Sequence, residues 1–143
     1  MKIRKASMAD AKAIQRIARN IKLPGADWPD WHTLRVIREL ISEGRYYVAE
    51  IAHEVVGILG VARHRYRVEI RTLAVKRSFS GQGIGMRLVR FAASLARRFG
   101  LRWITACMFV AFHAEQFYYH AGFRIKEIGY YCGRKWYEFA AAL

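Results

Sequence analysis

The chain has 143 residues, a hydrophobic fraction of 54% and only two prolines, which is enough apolar matter to bury a real core in a single domain and excludes a disordered chain. A formal net charge of +14 favours anionic ligands or surfaces and disfavours polybasic acceptors such as polyamines. No apolar run approaches the roughly 18 residues of a membrane span, and Met1-Lys2-Ile3-Arg4-Lys5 leads into polar residues rather than a signal-peptide core, so a cytoplasmic location is expected.

Ile3 to Lys5 predicts a short first strand. Ser7-Met8-Ala9-Asp10 fits a helix-start box, and Ala11, Ile14, Ile17 and Ala18 follow as an apolar stripe at helical spacing. Leu23 to Asp30 breaks that helix, and a second one is expected from about Trp31 to Ser42, ending at Gly44. Tyr46 to Ile51 and Val55 to Arg63 predict two strands, with His53-Glu54 as the hairpin turn between them. Val68 to Val75 is a further strand. The helix expected from about Gly83 to Phe99 buries Leu88, Ala92, Leu95 and Phe99, and shows Arg87, Arg90, Ser94, Arg97 and Arg98 on its other face. Trp103 to Met108 is another strand, Ala114 to Ala121 a short helix capped by Gly122, and Phe123 to Tyr130 with Lys135 to Ala141 a closing strand pair. The order β-α-α-β-β-β-α-β-α-β-β predicts an α/β fold with a mostly antiparallel sheet in a single domain over residues 1–143. Cys107 and Cys132 share no motif and read as reduced core thiols; the five histidines show no metal-ligand spacing, so no metal site is expected.

The stretch that carries most chemistry is Ser80-Gly81-Gln82-Gly83-Ile84-Gly85-Met86-Arg87, entered from the strand that ends Leu73-Ala74-Val75. Alternating glycines before a helix let the backbone approach a ligand, and the N–H groups of the first helical turn favour an anion there. The loop is not a Walker A motif, because Met86-Arg87 stands where Lys-Ser/Thr is needed, and it is not a dinucleotide fingerprint, because the spacing is G-x-G-x-G and Leu101 to Cys107 holds no carboxylate. A purely structural strand-to-helix turn is the alternative. In the second informative stretch, Ala114 to Phe123, the residues Ala114, Phe117, Tyr118 and Ala121 share one helical face. That brings a tyrosine hydroxyl to the core side, either as a packed aromatic or as a proton donor.

Together these blocks resemble the GNAT superfamily of acetyl-CoA-dependent N-acyltransferases. Gly81-Gln82-Gly83-Ile84-Gly85 is similar to the end of that family's (Gln/Arg)-x-x-G-x-(Gly/Ala) loop, and Ala114…Phe117-Tyr118…Gly122-Phe123 is similar to its A-x-x-F-Y-x-x-x-G-F segment. Two positions depart from the pattern: Ser80 replaces the long polar residue of the loop, and Ala111 stands where an asparagine is often found.

The resemblance implies acetyl-CoA as donor. The backbone of Leu73, Ala74 and Val75 would pair with its pantetheine arm, and Ser80 to Arg87 would hold its diphosphate, with Arg77 adding charge. It implies direct attack of a primary amine on the thioester in a ternary complex. Tyr118 would be the general acid, and Glu69, six residues before Val75, the candidate base; Glu69 could instead pair with Arg67 or Arg71. His113, Tyr119 and His120 are other candidates. Trp28 and Trp31, with Asp27 and Asp30 beside them, would line the acceptor side. The acceptor, a small molecule or a peptide, is not named by the sequence. Two other readings remain open: a non-catalytic acyl-CoA-binding regulator, and a basic nucleic-acid- or ribosome-binding protein, suggested by Arg63-His64-Arg65-Tyr66-Arg67. A homodimer is a further expectation, and a membrane partner is not expected.

Overall fold

A computed structural model describes residues 1–21 and 31–143. Its strands and helices are β1 (Lys2–Lys5), α1 (Ala11–Ala18), α2 (Leu34–Ser42), β2 (Tyr46–Ile51), β3 (Glu54–Arg63), β4 (Arg67–Val75), α3 (Ile84–Arg98), β5 (Trp103–Phe109), α4 (Glu115–His120), β6 (Arg124–Tyr131) and β7 (Arg134–Ala142). This is the element order that the sequence predicts. The strands form a seven-stranded sheet in the order β1-β2-β3-β4-β5-β7-β6. The pairs β1·β2, β2·β3, β5·β7 and β6·β7 are antiparallel, and β4·β5 is parallel. Two compact units divide the chain, one from Met1–Val61 with Thr72–Leu88 and one from Ala62–Arg71 with Val89–Leu143.

In the first unit, Asp10 reaches back to accept the Ser7 N–H at 2.8 Å, which fixes the entry to α1. The same carboxylate takes both ends of the Arg4 guanidinium, at 2.7 and 3.0 Å, and so ties β1 to the start of the helix. The apolar stripe of α1 packs with Ile37 and Ile41 of α2 and with Val48 and Ile58 of the strands. α2 starts at Leu34, three residues later than the sequence suggests, because Thr33 is its cap: the hydroxyl accepts the Val36 N–H at 3.3 Å. The hairpin turn is also shifted by one. Ala52 and His53, with φ of 48° and 65°, make the two-residue turn, and Glu54 is already the first residue of β3. Gly57 of β3 lies under α3, and a Cβ there would stand 3.1 Å from both Ile84 Cγ2 and Leu88 Cδ1.

In the second unit, β4 pairs with β5 from Arg67↔Trp103 to Ile70↔Ala106. Phe123 and Phe139 are fully buried. Phe99 does not join the core of α3 as expected. It sits past the helix end, 39% exposed, with the Arg63 guanidinium 4.1 Å over its ring. Cys107, on β5, and Cys132, between β6 and β7, are free but exposed, not core thiols. Among the described residues no cluster of ligands could hold a metal, and no helix is long and apolar enough to cross a membrane.

Candidate active site

The chain leaves β4 through a backbone bond from Lys76 N–H to the Val56 carbonyl, 2.7 Å, then makes one tight turn at Arg77–Phe79. Ser80 closes that turn by donating its hydroxyl to the Arg77 carbonyl at 2.9 Å. The hydroxyl proton is thereby committed, so the residue that departs from the family pattern braces the loop instead of reaching outward. Lys76 is committed as well, 3.0 Å from Glu54, whereas Arg77 and Arg87 are exposed.

Gly81 and Gly83 have φ of +76° and +81°, a region that only glycine enters without strain. Nothing stands within 4 Å of where a Cβ would be at either position, so the space in front of this backbone is open. α3 follows at once and runs for 15 residues. Its first ladder bond is Arg87 N–H to the Gly83 carbonyl, 3.1 Å, so the amides of Ile84, Gly85 and Met86 lie in the turn whose N–H groups a helix leaves without an acceptor of its own. The Ile84 side chain is turned into the core against Gly57, away from the mouth. The result is a row of amides at the positive end of a helix, with open space in front of Gly81 and Gly83. That arrangement fits a phosphate or diphosphate. Gly57, which lets α3 seat closely, is a contributor that the sequence reading missed; an isolated glycine inside a strand pattern was the available signal.

The candidate proton donor and bases lie in the second unit. Tyr118 is the one buried residue of α4. Its ring stacks on Phe139, centroids 4.9 Å apart, and meets Phe123 edge-on at 5.5 Å. Burial, with a smaller contribution from Cys107, pushes its phenol up to about 12, so the proton stays on at neutral pH. Cys107 is likewise pushed up to about 11, first by desolvation and then by Glu138 and Glu69, so it is no thiolate nucleophile.

Glu69 pairs with neither Arg67 nor Arg71. Its Oε1 lies 2.8 Å from His64 Nε2. Arg67 turns away and donates its Nε–H to Thr105 Oγ1 at 3.1 Å. His64 is held in place by its own backbone, whose N–H donates to the Arg67 carbonyl at 2.8 Å across the β3–β4 turn. A carboxylate against an imidazole is a unit that can accept and pass a proton, and His64 is the second residue that the sequence reading missed. Among the remaining candidates, His120 Nδ1 is bound to the Gln116 carbonyl at 2.7 Å, and His113 sits exposed with φ of 53°. Trp31 is 49% exposed. Trp28, Asp27 and Asp30 lie outside the described residues.

A family model of the acetyltransferase (GNAT) domain matches residues 42–125, a span that includes the amide row, Glu69 and Tyr118. An uncharacterized N-acetyltransferase of Chlorobaculum tepidum is 29% identical over 136 residues, 94% of this chain and 82% of that protein. Among solved structures, the PaiA N-acetyltransferase of Thermoplasma acidophilum in complex with coenzyme A superposes with a TM-score of 0.85 at 16% identity, covering 99% of this chain and 98% of that one. YncA of Salmonella typhimurium, solved with its cofactor acetyl-CoA, gives a TM-score of 0.82 at 23% identity over 100% of this chain and 94% of that one. Identities this low carry the fold, and the domain match carries the family: this chain belongs to the GNAT family of acetyltransferases.

Proposed function

We propose that this protein transfers an acetyl group from acetyl-CoA to a primary amine in a ternary complex, with residues 1–143 as one catalytic domain. The open amide row at Gly81 and Gly83, immediately ahead of a 15-residue helix, is the observation that carries this reading. The amides of Gly81 to Met86 hold the diphosphate, Arg77 and Arg87 add charge at its edge, and the backbone of Leu73, Ala74 and Val75 offers strand pairing to the pantetheine arm. When bound, acetyl-CoA supplies an activated thioester.

The protein's own residues then handle two protons. Glu69 Oε1, oriented by His64 Nε2, takes the proton that the acceptor ammonium must lose. Tyr118 Oη keeps its proton until the leaving sulfur needs one, because burial holds the phenol neutral. A protonated Cys107 favours direct transfer over a covalent enzyme intermediate. Trp31, with Trp28, is assigned to the acceptor side.

The test has two arms. Acetyl-CoA should raise Tm by binding linkage, and Gly83→Asp should abolish that rise by placing a side chain and a negative charge on the amide row. A screen of amino-acid metabolites, aminoglycosides and peptides, read by released CoA thiol, should find an acceptor. An undiminished thermal shift in the Gly83→Asp protein would remove the assigned cradle. A shift with no thiol release from any acceptor would support a non-catalytic acyl-CoA-binding regulator instead.

A further inference from the structure

We propose that the β3–β4 turn and the segment that joins α3 to β5 form a binding surface for single-stranded nucleic acid, whose contact residues Arg63, Arg65, Tyr66 and Trp103 are not among those assigned to acetyl transfer. The first observation is the distribution of charge. From Ile70 to Ala114 the chain contains no aspartate or glutamate, yet it carries Arg71, Lys76, Arg77, Arg87, Arg90, Arg97, Arg98 and Arg102. The turn Arg63-His64-Arg65-Tyr66-Arg67 adds more cations, and its nearest carboxylate in sequence, Glu69, is occupied by His64.

The second observation is that the fold brings these two stretches together. The Arg63 guanidinium lies 4.1 Å over the ring of Phe99 at the end of α3. Arg67 is the register partner of Trp103 in the parallel β4·β5 pair. These two stretches carry Arg63, Arg65, Arg97, Arg98 and Arg102, all of them exposed. Among the described residues none of the five pairs with a carboxylate. Arg97 and Arg98 also complement the C-terminal end of the helix dipole, but that role leaves Arg63, Arg65 and Arg102 unexplained.

The third observation decides the class of partner. Aromatic rings are exposed in the same two stretches: Tyr66 at 68%, Trp103 at 47% and Phe99 at 39%. The Arg65 guanidinium lies 5.3 Å from the centre of the Tyr66 ring. A surface built only for solubility, or only for an acidic peptide, needs the charges and gains nothing from exposed rings. A duplex hides its base faces. A single strand offers phosphates to guanidinium groups and base faces to the rings at once, and arginine rather than lysine suits both contacts.

Fluorescence anisotropy with a labelled oligouridine of about 20 nucleotides, a length that spans one or two single-strand sites, tests this on the full chain. Heparin serves as a polyanion without bases, and a duplex of equal length as a control. Binding to oligouridine should weaken steeply with salt, with a log–log slope of about −3.5 if the five arginines each meet a phosphate. Tyr66→Ala and Trp103→Ala should each weaken oligouridine binding about ten-fold, the size of one lost base stack, and leave heparin binding unchanged. Arg65→Glu should weaken both. The acetyl-CoA thermal shift should persist in all three variants, which shows that they fold. No salt-dependent binding to oligouridine, equal oligouridine affinity in Tyr66→Ala, or a preference for duplex would each overturn the proposal. Tyr66 is exposed enough that its truncation cannot fail merely by unfolding the protein.

Discussion

Tyr118 packs in the core and is also the residue to which the proposed reaction assigns the acid role. Its ring fills the space between Phe123 and Phe139, so removing only the hydroxyl leaves the packing in place. We expect Tyr118→Phe to keep the fold and the acetyl-CoA thermal shift and to lower turnover by about 10²-fold, the usual size of a lost proton donor. Its titration has a stability consequence with a definite sign. In the unfolded chain the phenol ionises near its ordinary value of about 10, whereas in the folded protein burial pushes it up to about 12. The stability tied to the neutral phenol is therefore complete below pH 10 and lost as the pH climbs toward 12. Denaturant midpoints measured across that window should fall less steeply in Tyr118→Phe than in the parent. Glu69→Gln tests the other proton: it should slow turnover with every acceptor while His64→Gln, which removes the imidazole but not the carboxylate, should slow it less. Full activity in Glu69→Gln would take the base role from this residue.

At the level of elements, a fork between Arg4 and Asp10 ties β1 to the start of α1. Asp10 is 7% exposed and accepts from both ends of Arg4 and from the Ser7 amide. Its hydrogen bonds with Arg4 hold its carboxyl below the ordinary carboxylate value. A depressed carboxylate stabilises the fold above the unfolded value of about 3.9, and that stability is lost as the pH falls through the lower folded one. Asp10→Asn should cost about 2 kcal/mol at neutral pH, typical of a charge-assisted hydrogen bond removed from a buried site. It should also blunt the loss of stability on acidification, read by denaturant unfolding at a series of pH values. Gly57 plays the matching part for α3. With Ile84 Cγ2 and Leu88 Cδ1 each 3.1 Å from its absent Cβ, Gly57→Ala must lift the first turn of α3 by a few tenths of an ångström. We expect a lower Tm, as overpacking costs about 1–3 kcal/mol. We also expect weaker acetyl-CoA binding by calorimetry, because the amides that are lifted are the ones assigned to the diphosphate.

The elements themselves were readable from periodicity: the stripe Ala11, Ile14, Ile17, Ala18 is buried as predicted, and so are Leu88, Ala92 and Leu95. What periodicity cannot supply is the choice between neighbouring residues at an element's end. The start of α2 depended on which polar residue capped it, and Thr33 did. The hairpin turn at Ala52-His53 uses two non-glycine residues at positive φ, which no Asn-Gly or Asp-Gly signal announced. The positive-φ turn at Gly81 and Gly83 ahead of α3 was legible because glycines spaced by two mark a strand-to-helix turn. The Glu69–His64 pair was not, because it depends on a turn bond between His64 and Arg67 that folds the chain back on itself. The arginine neighbours of Glu69 in sequence were the natural guess, and on a strand they fall two residues away on the same side but are drawn to other partners.

For the molecule as a whole, the excess charge raises the question of how much of the donor's binding is merely attraction to a +14 protein. A long-range field is screened within about 10 Å at 0.1 M salt. Amides at contact distance are screened little, and they need no side chain to hold a proton. If the amide row does most of the holding, the dissociation constant of acetyl-CoA should rise only a few-fold between 0.05 and 0.5 M salt, the modest loss expected when one or two side-chain charges are screened and the main-chain contacts are not. Arg77→Ala and Arg87→Ala should then reduce that small dependence further, and calorimetry at matched ionic strengths reads both effects. Net repulsion among the arginines works in the opposite direction on the free protein, whose Tm should rise with salt as the charges of the carboxylate-free stretch from Ile70 to Ala114 are screened from one another. A ligand gripped mainly by the global field would show the reverse balance: a loss of affinity by orders of magnitude with salt, the same for any polyphosphate, and indifferent to Gly83→Asp.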